Sequence, residues 1–581
     1  MKYKEIRALF SRRFNLPKEH SLKKTLRTFT MAEKAVFYVL VGIFIFSGLY
    51  MLWKVNESYL VEVPASGGSL TEGVVGNPRF INPVLAISEA DKNLTTLIYS
   101  GLVRITPDGS IENDVAESLD ISDDGKTYTV SIHPEAKFHD GEPITAEDIL
   151  FTVQKMVDPL IKSPKRGNWD GVSIEKIDDL TLSFTLKQAY TPFIYNLATG
   201  ILPKHIWKNV SDDEFSFSQF NTLPIGSGPF KVERVERNSG GIPNFYNLIP
   251  FENVSKAPYI NLVFRFYPNE DMLIEAYKKN EVESLSGVSP EKLLTLKNNG
   301  SEVLSSPLPR IFAVFFNQSQ SKVLLNKEVR RALDIASPKQ EIVDNILHGY
   351  GTVIDGPLPA GIYPEAKVEE KTEEERISEA KEILLNAGWK PNPETGVLEK
   401  KSGSSNISLS FSLSTGDAPE LRQVAEELVA AWQKLGADVR IQVSETGDLN
   451  QNVIRPRNFD ALLFGEVVSR DTDLYPFWHS SQRQDPGLNI ALYANGRADK
   501  LLEEARQLRD TEKVEASYMA FRDEIKNDVP AIFLYTPSFL YVVPEKVSAI
   551  KLGALTLPQD RFLSVRDWYI ETDKIWKIFT N

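Results

Sequence analysis

Residues 35–53, AVFYVLVGIFIFSGLYMLW, carry no charge. At about 1.5 Å per residue the run matches the roughly 30 Å hydrocarbon core of a bilayer. Tyr38, Tyr50 and Trp53 lie near its ends, where interfacial aromatics sit. Beyond it the patterning turns globular. Leu119 and Ile121 alternate on one side of an Asp-Asp-Gly turn, and Tyr128, Val130 and Ile132 alternate on the other, which predicts a hairpin. Thr145 with Asp148 three residues on predicts a capped helix start, and Ile149, Val153 and Met156 give that helix one apolar face. Thr372 and Glu375 predict a second capped helix, ending near Gly388. ISLSFSL at 407–413 alternates as a strand. Leu421, Val424, Ala425, Leu428, Trp432 and Leu435 then recur at helical spacing up to Gly436, and ADVRIQV follows as another strand. This is a β-α-β unit, so its strands are expected to be parallel. Val514, Tyr518, Phe521 and Ile525 mark a further helix before Pro530.

Charge separates the two parts. Residues 1–34 hold ten Lys/Arg against three Asp/Glu, a net +7 that leaves −20 on residues 54–581 of a chain at −13. The positive-inside rule places the basic end in the cytoplasm and the acidic body outside. The small residues VPA at 63–65 would suit a cleaved signal, but the apolar run exceeds the about 7–15 residues of a signal core, so an uncleaved anchor is expected. The expected organisation is a cytoplasmic tail (1–34), a transmembrane helix (35–53), a flexible tether (54–67) ending in ASG, and a body of two or three globular units, because one core rarely grows past roughly 300 residues.

The chain has no cysteine, which excludes disulfides, thiolate metal sites, a cysteine nucleophile and a lipidated cysteine. His139-Asp140 invites a catalytic reading. Adjacent residues cannot easily orient one another, however, and Asp140-Gly141 is turn chemistry, so the pair reads as framework. No nucleophile elbow, phosphate loop or zinc-protease motif occurs. GSGPF at 226–230 lacks the third glycine of a dinucleotide fingerprint and reads as a turn. The six histidines do not pair at ligand spacing, so no metal or cofactor is expected. The basic tail alone does not argue for nucleic acid.

Several blocks resemble a known family in order: residues 101–153 (GLVRITPDGS…AEDILFTV), LTLSFTLKQAYTPFIYNLATGILPKHIW, PIGSGPFKVERV, NKEVRRALDIASPKQEIVDNILHGYG, GPLPAG, AKEILLNAGW, FDALLFGEV and LYANGRADKLLEEARQLRD. They are similar to the family 5 extracellular solute-binding proteins, the peptide- and nickel-binding receptors of ABC importers, over about residues 68–560. The resemblance implies an α/β fold of two lobes (periplasmic-binding-protein-like, class II, the large peptide-binding type) behind one N-terminal transmembrane helix. Lobe one would span 68–311 and take back 540–581; lobe two would span 312–539. The crossings would fall near RIFAVFFNQ and AIFLYTPSFLYVV. It also implies a monomeric, non-enzymatic receptor that closes on an oligopeptide and delivers it to an ABC permease. The alternatives are a nickel chelate or an oligosaccharide as cargo, or a surface sensor or hydrolase on the same fold.

The expected ligand residues follow from position. LLFGEVVSRDTDLYPFWHS at 462–480 reads as a buried strand ended by Gly465 and followed by a polar loop, where α/β lobes bind ligand. Glu466, Asp471 and Asp473 would meet a cation such as a peptide amino group, Arg470 a carboxylate, and Trp478 would wall the cleft. Relatives often have Trp where this chain has Glu466. By family position, Asn77, Phe80 and Asn82 in GNPRFINP would line the cleft from lobe one, and Asn317 lies beside a crossing.

Overall fold

The computed structural model describes residues 28–579 apart from 253–255, 297–299, 361–370, 404, 469–472, 509 and 554. The chain divides into two compact units, one made of the residues before Ser66 and after Glu571, the other Ser66–Glu571.

In the smaller unit, helix α1 (Met31–Tyr59) starts at a capping box: the Glu33 carboxylate accepts the Thr30 N–H at 2.8 Å and the Thr30 hydroxyl at 2.9 Å. None of its side chains is buried by protein. It runs directly into strand β1 (Leu60–Ala65), which pairs with a strand at the C-terminal end, Glu571–Trp576. The expected tether at 54–67 is therefore mostly ordered helix and strand. Thr572 onward leaves lobe one and joins this unit.

The larger unit is organised by one mixed sheet. Its main path uses β2 (Ser69–Val75), β3 (Phe230–Arg237), β4 (Pro243–Pro250), β5 (Asn261–Tyr267), β6 (Ser284–Ser286), β7 (Arg310–Phe316), β8 (Ser410–Gly416), β9 (Asp438–Ser444), β10 (Ala461–Val467) and β11 (Ala531–Pro544); the C-terminal strand Glu571–Trp576 is β12. The spatial order is β9-β8-β10-β7-β11-β6-β2-β5-β4-β3. The cores divide this path into two lobes. One set of buried side chains draws on residues 70–308 and 539–568, with a smaller satellite beside it; the other two sets fall between 311 and 535. The central lobe-two strand is covered on both faces. In β7, Val314 and Phe316 face one core while Ile311, Ala313 and Phe315 face the other, which explains an apolar run without alternation.

The crossings are β7 and β11. Ala531–Tyr535 of β11 pairs with β7, and Tyr541 and Val542 pair with β6 in lobe one. Pro537, which has no N–H to give a ladder, sits between the two halves. The β8-helix-β9 unit is parallel, as expected, with Ser410 opposite Asp438. Its strand begins later than the alternation suggests. Ile407 pairs with Lys400 in a separate three-stranded sheet, and the chain changes sheets at the fully buried Leu409. The hairpin (Leu119 opposite Val130) and both capped helices form where the sequence places them.

Lobe one is closed by a buried ion pair. Glu72 on β2 and Arg561 in the C-terminal return are each fully buried. The Arg561 Nε donates to Glu72 at 3.0 Å, one of its terminal nitrogens donates to Asn93 at 3.0 Å, and the Tyr541 hydroxyl donates to the other Glu72 oxygen at 2.8 Å. Its guanidinium carbon lies 4.1 Å from the centre of the Phe562 ring. Glu72→Gln leaves the Arg561 charge buried without its counter-charge and is expected to cost about 3–5 kcal/mol. The fall should be read from the urea midpoint of the full chain in detergent. Glu72→Met with Arg561→Met should recover most of it, and an unchanged midpoint in the single variant would show that the pair carries no such role.

Candidate functional site

A cavity of about 460 Å³ opens on lobe one at the C-terminal end of the helix Glu89–Ile98, between the segments at 103–105, 195–200 and 556–566. Val467, the last residue of β10, is the lobe-two side chain on its wall among the described residues. Close backbone packing makes one wall. A Cβ on Gly226 or Gly228 would lie 2.0 or 2.6 Å from the Ile98 backbone, so the GSGPF turn carries glycines for close approach and binds no phosphate.

The cavity wall is chemically unfinished. The Tyr99 hydroxyl, Thr95 Oγ1, Arg104 Nε and Gln559 Oε1 are buried there and have no hydrogen-bond partner among the described residues. Native interiors pair such groups, so a cluster of exceptions around one cavity marks where ligand or water completes them. Burial pushes the Tyr99 phenol upward, keeping it a neutral donor. Among the charged wall residues, Asp114 is paired with Arg566 at 2.9 Å and Arg104 with Glu112 at 2.5 Å. Lys165 has no carboxylate partner among the described residues. Burial, and then the nearby Lys92 ammonium, lower it to about 8.

The lobe-two loop differs from expectation. Glu466 is 5% exposed, and neither of its oxygens has a partner among the described residues. Burial raises it well above the usual carboxylate range, which favours the neutral acid over the charged form an ionic anchor needs. Asp473 is already held by Arg506, whose Nε and a terminal nitrogen donate to it at 2.9 and 2.6 Å. The Tyr190 hydroxyl of lobe one reaches the same carboxylate at 3.5 Å. Nearby, the Thr191 hydroxyl donates to the Leu508 carbonyl at 3.2 Å. Asp473 thus belongs to a clasp that fastens one lobe to the other. Arg470 and Asp471 lie outside the described residues.

The remaining expected contacts are framework. Trp478 is 1% exposed in a lobe-two core, packed against Phe315, Phe521 and Phe533. Asn317 donates to the Arg457 carbonyl at 2.7 Å and accepts the Ser319 N–H at 3.0 Å, which closes the turn after β7. Asn82 donates to Asn221 at 3.0 Å and accepts from Val84 at 2.9 Å, inside lobe one. Phe80 packs on the lobe-one core, and Asn77 is half-buried; neither is on the cavity wall. Sequence reasoning missed Tyr99, Arg104, Lys165, Gln559, Tyr190 and Arg506. They come from segments far apart in the chain, and the one available signal was that several fall inside the resembling blocks.

His139 answers the catalytic reading directly. Its Nδ1 accepts the Gly226 N–H at 3.3 Å, so its Nε2 carries the proton and donates to the Gly228 carbonyl at 3.1 Å. The ring braces the glycine turn behind the cavity, while Asp140 pairs with His205 at 2.8 Å. Among the described residues no group of three or more His, Asp or Glu could hold a metal ion.

The chain is similar to known proteins over most of its length. The sequence profile of the "Bacterial extracellular solute-binding proteins, family 5 Middle" matches residues 110–485. The oligopeptide-binding protein AppA of Bacillus subtilis (strain 168) is 27% identical over 518 residues, covering 87% of this chain and 92% of AppA. The structure of AppA from Bacillus subtilis with a nonapeptide superposes with a TM-score of 0.65 at 27% identity, over 88% of this chain and all of that one. NikZ from Campylobacter jejuni, solved with Ni(L-His), gives 0.65 at 25% identity over 86% of this chain and 99% of its own.

Two buried groups set opposite pH slopes. Burial lowers His139 from 6.5 to about 4, so its contribution is complete above pH 6.5 and is lost as pH falls toward 4, by about 3 kcal/mol at most. His139→Gln should flatten stability between those values in denaturant titrations while leaving ligand affinity unchanged; a large affinity loss would place His139 in the site. Glu466 is raised, so its contribution is complete below pH 4.5 and is lost as pH rises through its folded value. Glu466→Gln should therefore raise the melting temperature at pH 8 more than at pH 4, and equal shifts would refute the neutral-acid assignment.

Proposed function

Because the chain belongs to the bacterial extracellular solute-binding proteins of family 5, we propose that it is the membrane-tethered receptor of an ABC importer and that its cargo is a short peptide. The observation that carries the reading is this lobe-one cavity facing Val467, where among the described residues the Tyr99 and Thr95 hydroxyls, the Gln559 oxygen and the Arg104 Nε lack partners and the Lys165 ammonium has no carboxylate. Main-chain amides and a free carboxylate are complementary to that wall. Tyr99 and Thr95 supply hydroxyl groups, Arg104 a donor, Gln559 an acceptor, and Lys165 the charge for the carboxylate. The mechanism is capture followed by lobe closure about β7 and β11, with the Tyr190–Asp473–Arg506 clasp fastening the closed state; no covalent step is involved. The likeness to NikZ supports a nickel chelate as a second reading, although no histidine stands on the described cavity wall. Helix α1, with its uncharged run and basic flank, is long and apolar enough to hold the body at the outer membrane surface, N-terminus inward.

The test is calorimetry of the detergent-solubilised full chain with peptides found by native mass spectrometry after exposure to a random tetrapeptide pool, and separately with Ni(L-His). Peptide capture supports the reading; capture of Ni(L-His) alone overturns it. A charge-assisted hydrogen bond contributes about 1.5–3 kcal/mol, so Lys165→Gln should weaken a captured free-acid peptide about ten- to a hundred-fold. The C-terminally amidated peptide should bind more weakly than the free acid to the unaltered chain and respond little to the substitution. Equal losses for both peptides would remove Lys165 as the carboxylate partner.

A further inference from the structure

The end of the chain shows a feature that cargo binding does not use. In the smaller unit, Trp576, Ile578 and Phe579 are 47%, 73% and 72% exposed. Large apolar side chains clustered at three of four consecutive positions usually have something to cover them. The strand pairing says where they point. The Lys574 ammonium lies 3.6 Å from the Glu62 carboxylate, and the Glu571 carboxylate packs against Gly67. The numbers fall on one strand as they rise on the other, so β12 runs antiparallel to β1. Trp576 therefore ends beside Leu60, next to the last turn of α1, and the turn Lys577–Phe579 continues toward the side from which α1 comes.

The depth fits a bilayer surface. Residues 54–59 carry α1 about 9 Å beyond the uncharged run. The interfacial layer on each side of a hydrocarbon core is roughly 5–8 Å thick. Tyr59, itself 56% exposed, thus stands near the outer edge of the headgroups, and a turn directed back from that level enters them. The composition suits the place: a Trp and a Phe whose rings favour the headgroup zone.

We infer that Trp576, Ile578 and Phe579 form a second membrane contact, seated in the headgroup layer beside the point where α1 emerges. The inference rests on the reading of α1 as a spanning helix, and the two can fail separately. The chain has no cysteine, so a cysteine at Ile578 or at Phe44 is a unique attachment point for a nitrobenzoxadiazole dye. The full chain is placed in phosphatidylcholine nanodiscs. A dye at 578 is expected to lose about half its emission or more when lipids with a headgroup nitroxide replace unlabelled ones, and a dye at 44 to do so with a nitroxide at the acyl-chain centre. Adding Trp576→Ser and Phe579→Ser should reduce quenching at 578 about twofold or more. Quenching at 44 but not at 578 overturns the second contact and leaves the anchor standing. Quenching at neither overturns the spanning helix and the contact with it. Undiminished quenching at 578 in the serine background shows the dye inserting by itself and overturns the assignment to Trp576 and Phe579.

Discussion

One strand constrains the rest of the receptor. β11 is hydrogen-bonded to β7 through Ala531–Tyr535 and to the lobe-one strands through its second half, so the two lobes share a continuous sheet. Relative motion of the lobes must then be absorbed by twist in β7 and β11, because breaking either ladder would strand buried N–H and C=O groups. Two irregularities are visible: Pro537 brings no N–H to β11, and the register between β7 and β11 slips between Phe312 and Ala313. A hinge built from strand interiors permits small rotations and resists large ones. The clasp of Tyr190, Asp473 and Arg506 therefore need hold only a modest displacement.

Electrostatics divides the labour across the cleft. Lobe one supplies Lys165, which has no carboxylate partner among the described residues, and lobe two presents Glu466, whose charged form burial disfavours. The fully buried ion pair of lobe one, Glu72–Arg561, is off the cavity wall. Glu72 and Arg561 are sealed in the core, where the cooperation of Tyr541 and Asn93 offsets their desolvation. The acidic surface of the body gives solubility, and the site itself is weakly charged.

Much of the fold was legible in the sequence because its signals are local. Thr145–Asp148 and Thr372–Glu375 announce helix starts within four residues, and the turn at Asp124-Gly125 fixes a hairpin whose partners are adjacent. The crossings were legible as uninterrupted apolar runs, since strands with both faces buried lose their alternation. The site was read poorly for the converse reason. Asp473 looks like a free acid until Arg506, 33 residues on, folds over it. Trp478 looks like a cleft wall until Phe315 and Phe533 enclose it. The shift of Glu466 is set by burial without a polar partner among the described residues, which no motif records. Asn82 and Asn317 carried a position from the family pattern, but each satisfies its own backbone.

The pairing of β1 with β12 makes the spacer between helix and body a stiff ribbon, with Ser66–Gly68 the short link before β2. With α1 in a bilayer, as proposed, the search for a permease becomes lateral diffusion in one membrane. Encounter with a permease in the same membrane then scales with surface density instead of bulk concentration, and the docking surfaces can be weak and still meet often. Rapid release after delivery, which tight docking would slow, becomes compatible with efficient transfer.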